Sequence, residues 1–300
     1  MRILYFERKQ NELYYREFLN ALKGKVDVML NNPSGGPVDA VVYGYGWVCD
    51  ENLNNSLSAA PDTHGSALKV LILNKEYKNL DKKLEFIRKN DIDLVFTPHH
   101  DYKKWEKETD ATFYKLPFAA NPTVFKDWGE EKKYDLGFTG NLFNSPFYKS
   151  GIMGPEFNNV RERIAQELSS DKYADVSMYL NGNSYVHGAN YGKLINSSKI
   201  WLCTPSAIQL VGTRFYDIMG SCSLLLCKES GVYEGLFEAD KHYVTFKDDL
   251  SDFSEKIFYY AENDEHRNEI IANANEHFMK NHTWESRVDF FLEKISENIS

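Results

Sequence analysis

The chain has little cysteine, no long apolar run and fewer basic than acidic residues, and each shortage removes a class of protein. Four cysteines, Cys49, Cys203, Cys222 and Cys227, occur among 300 residues, and none stand in CxxC spacing. They sit mostly in apolar, strand-like runs, which fits reduced, buried thiols and argues against a disulfide frame or a cysteine-held zinc. No stretch approaches the roughly 20 apolar residues of a membrane-spanning helix. The start Met1-Arg2-Ile3-Leu4-Tyr5-Phe6 is too short and too early charged for a secretory leader. The expectation is a cytoplasmic protein with no transmembrane segment. Lys and Arg number 35 against 44 Asp and Glu, a formal net charge of -9. That balance argues against nucleic acid or an anionic membrane as main partner, yet leaves room for a local basic pocket that takes one small anion. Internal repeats and low-complexity tracts are also missing.

What is present is a globular composition, 42% hydrophobic with a 14% aromatic share, in a length that suits two domains better than one. Strand signals at 2–6, 26–30, 38–43, 70–73, 94–97 and 113–117 alternate with helical signals at 11–22 and 80–89. Such alternation predicts a parallel sheet with helices on its faces, a Rossmann-like domain over residues 1–120. A polar stretch, 121–133, with Pro122, Gly129 and four successive charges, reads as a linker. A second Rossmann-like domain then fills 134–300. It opens with a strand into a glycine turn at 134–141, followed by a helix over 157–168. Strands at 176–180, 200–204, 223–227 and 243–246 come next, then a helical tail over 251–295.

The most informative segment runs from Gly212 to Leu226 and reads as a short helix turning into a buried strand. Thr213 is placed to N-cap that helix, whose free N–H groups and dipole favour a phosphate, and Arg214 adds a cation beside them. Asp217 follows one turn later, away from the apolar pair Phe215 and Met219, where a carboxylate can accept hydrogen bonds from sugar hydroxyls. Phosphate plus ribose means a nucleotide. The competing reading makes Arg214 and Asp217 an ordinary surface ion pair.

Four segments in order carry a resemblance over roughly residues 93 to 290. They are Leu116-Pro117-Phe118-Ala119-Ala120-Asn121-Pro122-Thr123-Val124-Phe125, Tyr134-Asp135-Leu136-Gly137-Phe138-Thr139-Gly140-Asn141, Gly212-Thr213-Arg214-Phe215-Tyr216-Asp217-Ile218-Met219-Gly220-Ser221, and His282-Thr283-Trp284-Glu285-Ser286-Arg287. In these the chain resembles GT-B glycosyltransferases of the group 1 type, most closely the spore-maturation-like branch. The resemblance implies two Rossmann-like domains facing a cleft, a nucleotide-sugar donor held mainly by the C-terminal domain, and an acceptor held by the N-terminal one. It implies no metal. It places Gly140 and Asn141 where a loop approaches the donor phosphates, Arg214 at the phosphate end of the motif helix, and Asp217 at the ribose. Two features depart from the family. Group 1 enzymes commonly carry glutamates eight residues apart, whereas here the positions hold Gln209 and Asp217, which bears on donor-sugar contacts and stereochemistry. The usual glycine-rich loop after the first strand is replaced by Glu7-Arg8-Lys9-Gln10.

Other residues carry paired readings. Arg161 and Arg163, on the helix after the Gly140 turn, can reach a diphosphate as bidentate donors or lie on a solvated face with Glu162 and Glu167. His99 and His100 end a strand, where open α/β sheets place their ligands, and can assist proton removal from an acceptor or merely cap a turn. Tyr43-Gly44-Tyr45-Gly46-Trp47 offers rings for sugar stacking or a turn packed into the core. Asp91-Ile92-Asp93 has DxD form but precedes its strand, so it reads as a turn. Gln209, His187 and Tyr191 are weaker loop candidates. The function expected is transfer of a sugar from a UDP- or GDP-linked donor to a glycan or other hydroxyl acceptor, with no cofactor besides the donor. His99, His100 and Arg214 are the catalytic candidates, and Gly140, Asn141, Arg161, Arg163, Gln209, Gly212, Thr213, Arg214 and Asp217 the donor-binding ones. An epimerase or hydrolase on the same scaffold and a non-catalytic nucleotide-sugar binder are the alternatives.

Overall fold

The computed structural model describes residues 1–10, 12–34, 36–48, 65–140, 160–181, 186–205 and 210–299. The chain forms two compact units, Met1–Phe118 with Trp284–Ser300, and Ala119–Thr283. In the first unit the elements are β1 (Arg2–Phe6), α1 (Leu13–Lys23), β2 (Asp27–Leu30), β3 (Ala40–Tyr43), β4 (Leu68–Ile72), α2 (Leu80–Lys89), β5 (Leu94–Thr97), the single turn α3 (Lys103–Glu106) and β6 (Thr112–Lys115). The second unit holds β7 (Tyr134–Thr139), α4 (Val160–Leu168), β8 (Met178–Asn181), α5 (Gly188–Asn196), β9 (Ser198–Cys203), α6 (Thr213–Gly220), β10 (Leu224–Lys228), β11 (Val244–Phe246), α7 (Phe253–Glu262) and α8 (Asp264–Asn281). The last helix, α9 (Trp284–Asn298), returns to the first unit.

Both sheets are parallel among the described residues, ordered β2-β1-β3-β4-β5-β6 and β11-β10-β9-β7-β8. The strands read as continuous apolar runs because helices cover both faces, leaving no solvated side to alternate with. In the first unit Leu4, Val41, Leu71, Val95 and Phe113 share one core with Leu84 and Ile87 of α2. In the second, Leu136, Ile200, Leu202, Leu224 and Leu226 pack with Ile164 of α4 and Ile257 of α7. Each sheet grows in both directions from its first strand, so each has one place where the strand order reverses, between β1 and β3 and between β7 and β9. Loops leaving the carboxyl ends of two such strands run to opposite sides and open a crevice, which is where ligands of open α/β sheets bind.

The structure moves three boundaries. The division falls after Phe118, and residues 121–133, read from sequence as a linker, belong to the second unit. The helical tail is three helices, and α9 belongs with the first unit. Its buried Trp284, Val288, Phe291 and Ile295 follow a helical period, and Phe291 packs edge-on against Phe18 of α1 and against Phe96 of β5. Arg287 fixes the same helix, its Nε donating to the carbonyls of Pro117 at 3.0 Å and Phe118 at 3.2 Å. Finally, α5 lies in a stretch read as loop. Of the cysteines, Cys203 and Cys227 are buried, Cys222 is half-buried, and all three are free thiols. Cys49 lies outside the described residues. Among the described residues no helix is long and apolar enough to cross a membrane.

Candidate functional site

The reversal between β7 and β9 brings together Thr139-Gly140, at the end of one strand, and Cys203-Thr204, at the end of the other. Gly140 has φ +123, a conformation that side-chain-bearing residues avoid. A Cβ there would lie 3.3 Å from Arg214 Nη1 and 3.6 Å from Nη2. The glycine therefore lets the guanidinium of Arg214 lie against the backbone at the strand end. Arg214 stands in the first turn of α6, and the resemblance had placed both residues at donor phosphates.

The start of α6 differs from the sequence reading in one respect. The N-cap is Gly212 in extended conformation, with no side-chain cap, and Thr213 is the first helical residue, not the cap. The cap residue therefore offers no side-chain oxygen to the first N–H groups, and the positive end of the helix dipole lies at the turn that carries Arg214. Asp217 is 8% exposed. Among the described residues no ion pair or hydrogen bond joins it to Arg214, which acts on it only through its field. Burial pushes the Asp217 carboxyl well above the usual carboxylate range, against the pull of Arg214. A surface ion pair is not what this geometry holds.

Arg214 keeps its charge in a half-buried place. Burial works against the guanidinium, but Tyr191, Cys203 and Asp217 outweigh it and hold it above its ordinary value. Arg161 comes to the same place from α4, its Nε donating to Thr204 Oγ1 at 2.8 Å, and both arginines act on Cys203. Burial nevertheless pushes that thiol up to about 11, so it stays protonated. Arg163 does not join them. It donates to the Asp248 carbonyl at 2.5 Å and carboxylate at 3.1 Å, a carboxylate shared with Lys228. Asn141 and Gln209 lie outside the described residues. Thr139, Thr204 and Cys203 escaped the sequence reading, although Thr139 directly precedes the glycine that marked the turn.

The matching crevice of the first unit is filled from within. Glu7, at the end of β1, is 2% exposed and accepts from the backbone N–H of Lys9 at 2.9 Å and of Gly46 at 3.1 Å. Any side chain at Gly46 would collide with the Glu7 carboxylate, so that glycine serves internal packing. Burial raises the Glu7 pKa. Here a glycine-rich phosphate loop is replaced by a carboxylate, the opposite of a phosphate site. Sugar stacking by the neighbouring aromatics is not supported either. Tyr45 is 0% exposed and stacked on Tyr15 at 5.4 Å, Tyr43 is core, and the face of Trp47 is covered by Arg8 at 4.0 Å.

His99 and His100 follow β5 in the first unit, with ring centroids 4.7 Å apart, His99 half-buried and His100 exposed. Burial, helped by His100, lowers the His99 pKa to about 4, so its ring is neutral near pH 7. Its Nδ1 accepts from the Asp101 N–H at 3.1 Å, which leaves the ring proton on Nε2. His99 is thus a hydrogen-bond donor and not a base. The Asp91-Ile92-Asp93 segment is the expected turn, Asp93 accepting from Lys69 N–H at 2.7 Å at the amino end of β5. His187 is exposed at the start of α5. Among the described residues, no three His, Cys, Asp or Glu side chains gather as a metal site.

Two parallel α/β units of this order have the GT-B fold. Residues 152–293, a little under half the chain, match a family described as glycosyl transferase-like. No curated protein matches the chain in sequence. Solved structures share the fold. HepE of Anabaena, solved with UDP, has 12% identity and a TM-score of 0.63 over 99% of this chain and 100% of that one. Sucrose-phosphate synthase of Thermosynechococcus elongatus has 10% identity and a TM-score of 0.62 over 99% of both chains. TarM, at 12% identity and TM-score 0.55, is matched over 55% of its length and 86% of this chain.

Proposed function

We propose that the chain transfers a sugar from a nucleoside diphosphate donor to an acceptor hydroxyl, with the diphosphate held at the β7/β9 reversal. The observation that carries this is the placement of Arg214, over Gly140 and beside the uncapped start of α6, with Asp217 one turn on. The glycosyl transferase-like match and the fold shared with HepE, whose structures contain UDP or UDP-glucose, support it. In the reaction the bond from the anomeric carbon to the diphosphate oxygen breaks and that oxygen keeps the electron pair. The acceptor oxygen bonds the anomeric carbon and gives up its proton to solvent water, the departing diphosphate leaving with its negative charge. Groups fixed where the leaving charge grows stabilise such a step. Arg214 and the first N–H groups of α6 take that role, Arg161 adds a second cation, and Asp217 takes the ribose. His99 enters as an Nε2–H donor. The scheme uses no covalent nucleophile and no metal, and we place the protein in the cytoplasm, in the spore-maturation-like branch, with a UDP- or GDP-linked donor and a glycan or other hydroxyl acceptor.

Gln209 and Asp217, standing where the group 1 type commonly has glutamates, favour a second reading, a nucleotide-sugar binder without transfer. The two separate on turnover. Thermal shifts against UDP-, GDP-, ADP- and CMP-sugars identify the donor, since a ligand at about 100 times its Kd stabilises by about 2.7 kcal/mol. Acceptor-dependent release of nucleoside diphosphate, unchanged by EDTA, is expected. Binding without release supports the binder, release without an acceptor the hydrolase, and activity lost in EDTA and restored by manganese contradicts the metal-free scheme.

A further inference from the structure

Thr97 ends β5 and Glu76 follows β4, so both stand at the carboxyl end of the first unit's sheet, where open α/β sheets place ligands. The Thr97 hydroxyl donates to Glu76 Oε1 and accepts from the backbone N–H of His99 at 3.3 Å. A hydroxyl can do both at once, so one chain of hydrogen bonds runs from the Glu76 carboxyl to His99. At its far end the His99 ring accepts from the Asp101 N–H through Nδ1 and lies against Trp105 at 4.8 Å. Its Nε2–H has no partner among the described residues. Glu76 is itself held in place. The ammonium of Lys83, on α2, is fully buried and donates to the carbonyls of Asn74 and Lys75 at 2.7 Å each, which pins the turn that carries Glu76. Burying these groups costs stability. Glu76 is 3% exposed, and its Oε2 has no hydrogen-bond partner among the described residues. Burial raises its pKa, against the pull of Thr97 and Lys83. An apolar side chain of similar size would join the ends of β4 and β5 at less cost, but would leave the Thr97 hydroxyl without its acceptor. We infer that Glu76 is a positioning residue, which acts through Thr97 to hold His99 in the pose and tautomer that offer Nε2–H to an oxygen of the acceptor.

Because this role rests on the reading of the chain as a glycosyltransferase, one arm of the test uses substrates and the other does not. Two pairs of variants separate positioning from packing. Thr97→Val removes the hydroxyl and keeps the branched shape, while Thr97→Ser keeps the hydroxyl. Glu76→Ala removes the accepting oxygen, and Glu76→Gln keeps one. The first arm reads the His99 ring nitrogens by NMR in the free protein. Wild type, Thr97→Ser and Glu76→Gln are expected to show the single Nε2–H tautomer, and Thr97→Val and Glu76→Ala an average of the two tautomers. A wild-type ring in Thr97→Val overturns the inference, and so does a change in Thr97→Ser as large as that in Thr97→Val. The second arm measures release of UDP or GDP from UDP-glucose and GDP-glucose, with methyl glucoside as the hydroxyl acceptor. Thr97→Val should lose about tenfold in kcat/KM for the acceptor, the scale of one hydrogen bond, while the donor KM changes less than about twofold. Combined with His99→Ala, it should add nothing to the loss seen in His99→Ala alone. Equal losses for donor and acceptor, or an undiminished loss in the His99→Ala background, overturn the inference. An inactive chain with the expected ring signals supports the positioning role and counts against transfer to this acceptor.

Discussion

Asp217 is the residue whose chemistry departs furthest from its type. It is 8% exposed, unpaired among the described residues, and raised by burial well above the ordinary carboxylate range. A carboxyl kept in such a place without a partner costs stability, and a ligand hydroxyl that completes its hydrogen bonds recovers part of that cost. Asp217→Ala is therefore expected to leave the fold at least as stable and to bind a nucleoside diphosphate and its 2′-deoxy analogue with nearly equal affinity. Asp217→Asn, which keeps an acceptor oxygen, should retain some preference for the ribose. Calorimetry with both nucleotides checks this, and unchanged ribose preference in the alanine variant would remove Asp217 from the site. Residue type and spacing made Arg214, Asp217 and Gly140 legible in the sequence. Orientation was not legible, and it divides Arg161 from Arg163. One reaches Thr204, at the end of β9, and the other Asp248, a partner 85 positions further on. No local pattern encodes that difference.

At the scale of the element, strands and long helices announced themselves through periodicity, and the misses have local causes. The helix α5 contains Gly188, Asn190, Gly192 and Asn196, a poor helix-forming composition, so Tyr191 read as a loop residue. At α6 the sequence pointed to Thr213 as the cap, since threonine carries a hydroxyl that can accept from the first N–H groups, but Gly212 takes that place. The end of α8 shows a different property, a cluster of packed histidines. His242, 4% exposed, stacks on His277 with centroids 4.2 Å apart, its Nδ1 accepting from the Glu238 N–H at 3.0 Å. His277 Nε2 lies 2.8 Å from the Leu236 carbonyl and 2.9 Å from His282 Nε2. Burial, reinforced by His277 and Lys241 and opposed by Glu238, lowers the His242 pKa. A folded pKa below the unfolded value of about 6.5 means that the unfolded chain binds more protons as pH falls, so this contribution is intact above about pH 6.5 and is lost below it. Glu7, Glu76 and Asp217 have raised pKa values and work in the opposite direction. The contribution of His242 is thus read as a difference. Urea unfolding at about pH 7.5 and about pH 5 should show a larger loss of stability towards the lower pH in the wild type than in His242→Gln. Parallel profiles would show that His242 carries no proton linkage.

For the whole molecule, the βα alternation was enough to predict two parallel sheets, but not the strand that each chain segment neighbours or the return of α9 to the first unit. That return depends on Phe291 meeting Phe18 and Phe96, contacts that span most of the chain length and leave no mark in a local window. The two units repeat one topology with opposite chemistry at the reversal point. In the first a carboxylate, Glu7, fills the crevice, and in the second two arginines, a positive-φ glycine and an uncapped helix start converge on it. The central claim is that this second crevice binds a nucleoside diphosphate through Arg214. The measurement closest to it is calorimetric titration with the nucleoside diphosphate of the donor that most stabilises the wild type, comparing Arg214→Ala with Arg163→Ala. Arg214→Ala should bind more weakly by about 1.5 to 3 kcal/mol, the scale of a hydrogen bond to a charged group. Arg163→Ala, which loses only its contact with Asp248, should bind as the wild type does. Wild-type affinity in Arg214→Ala, or an equal loss in both variants, would contradict the account.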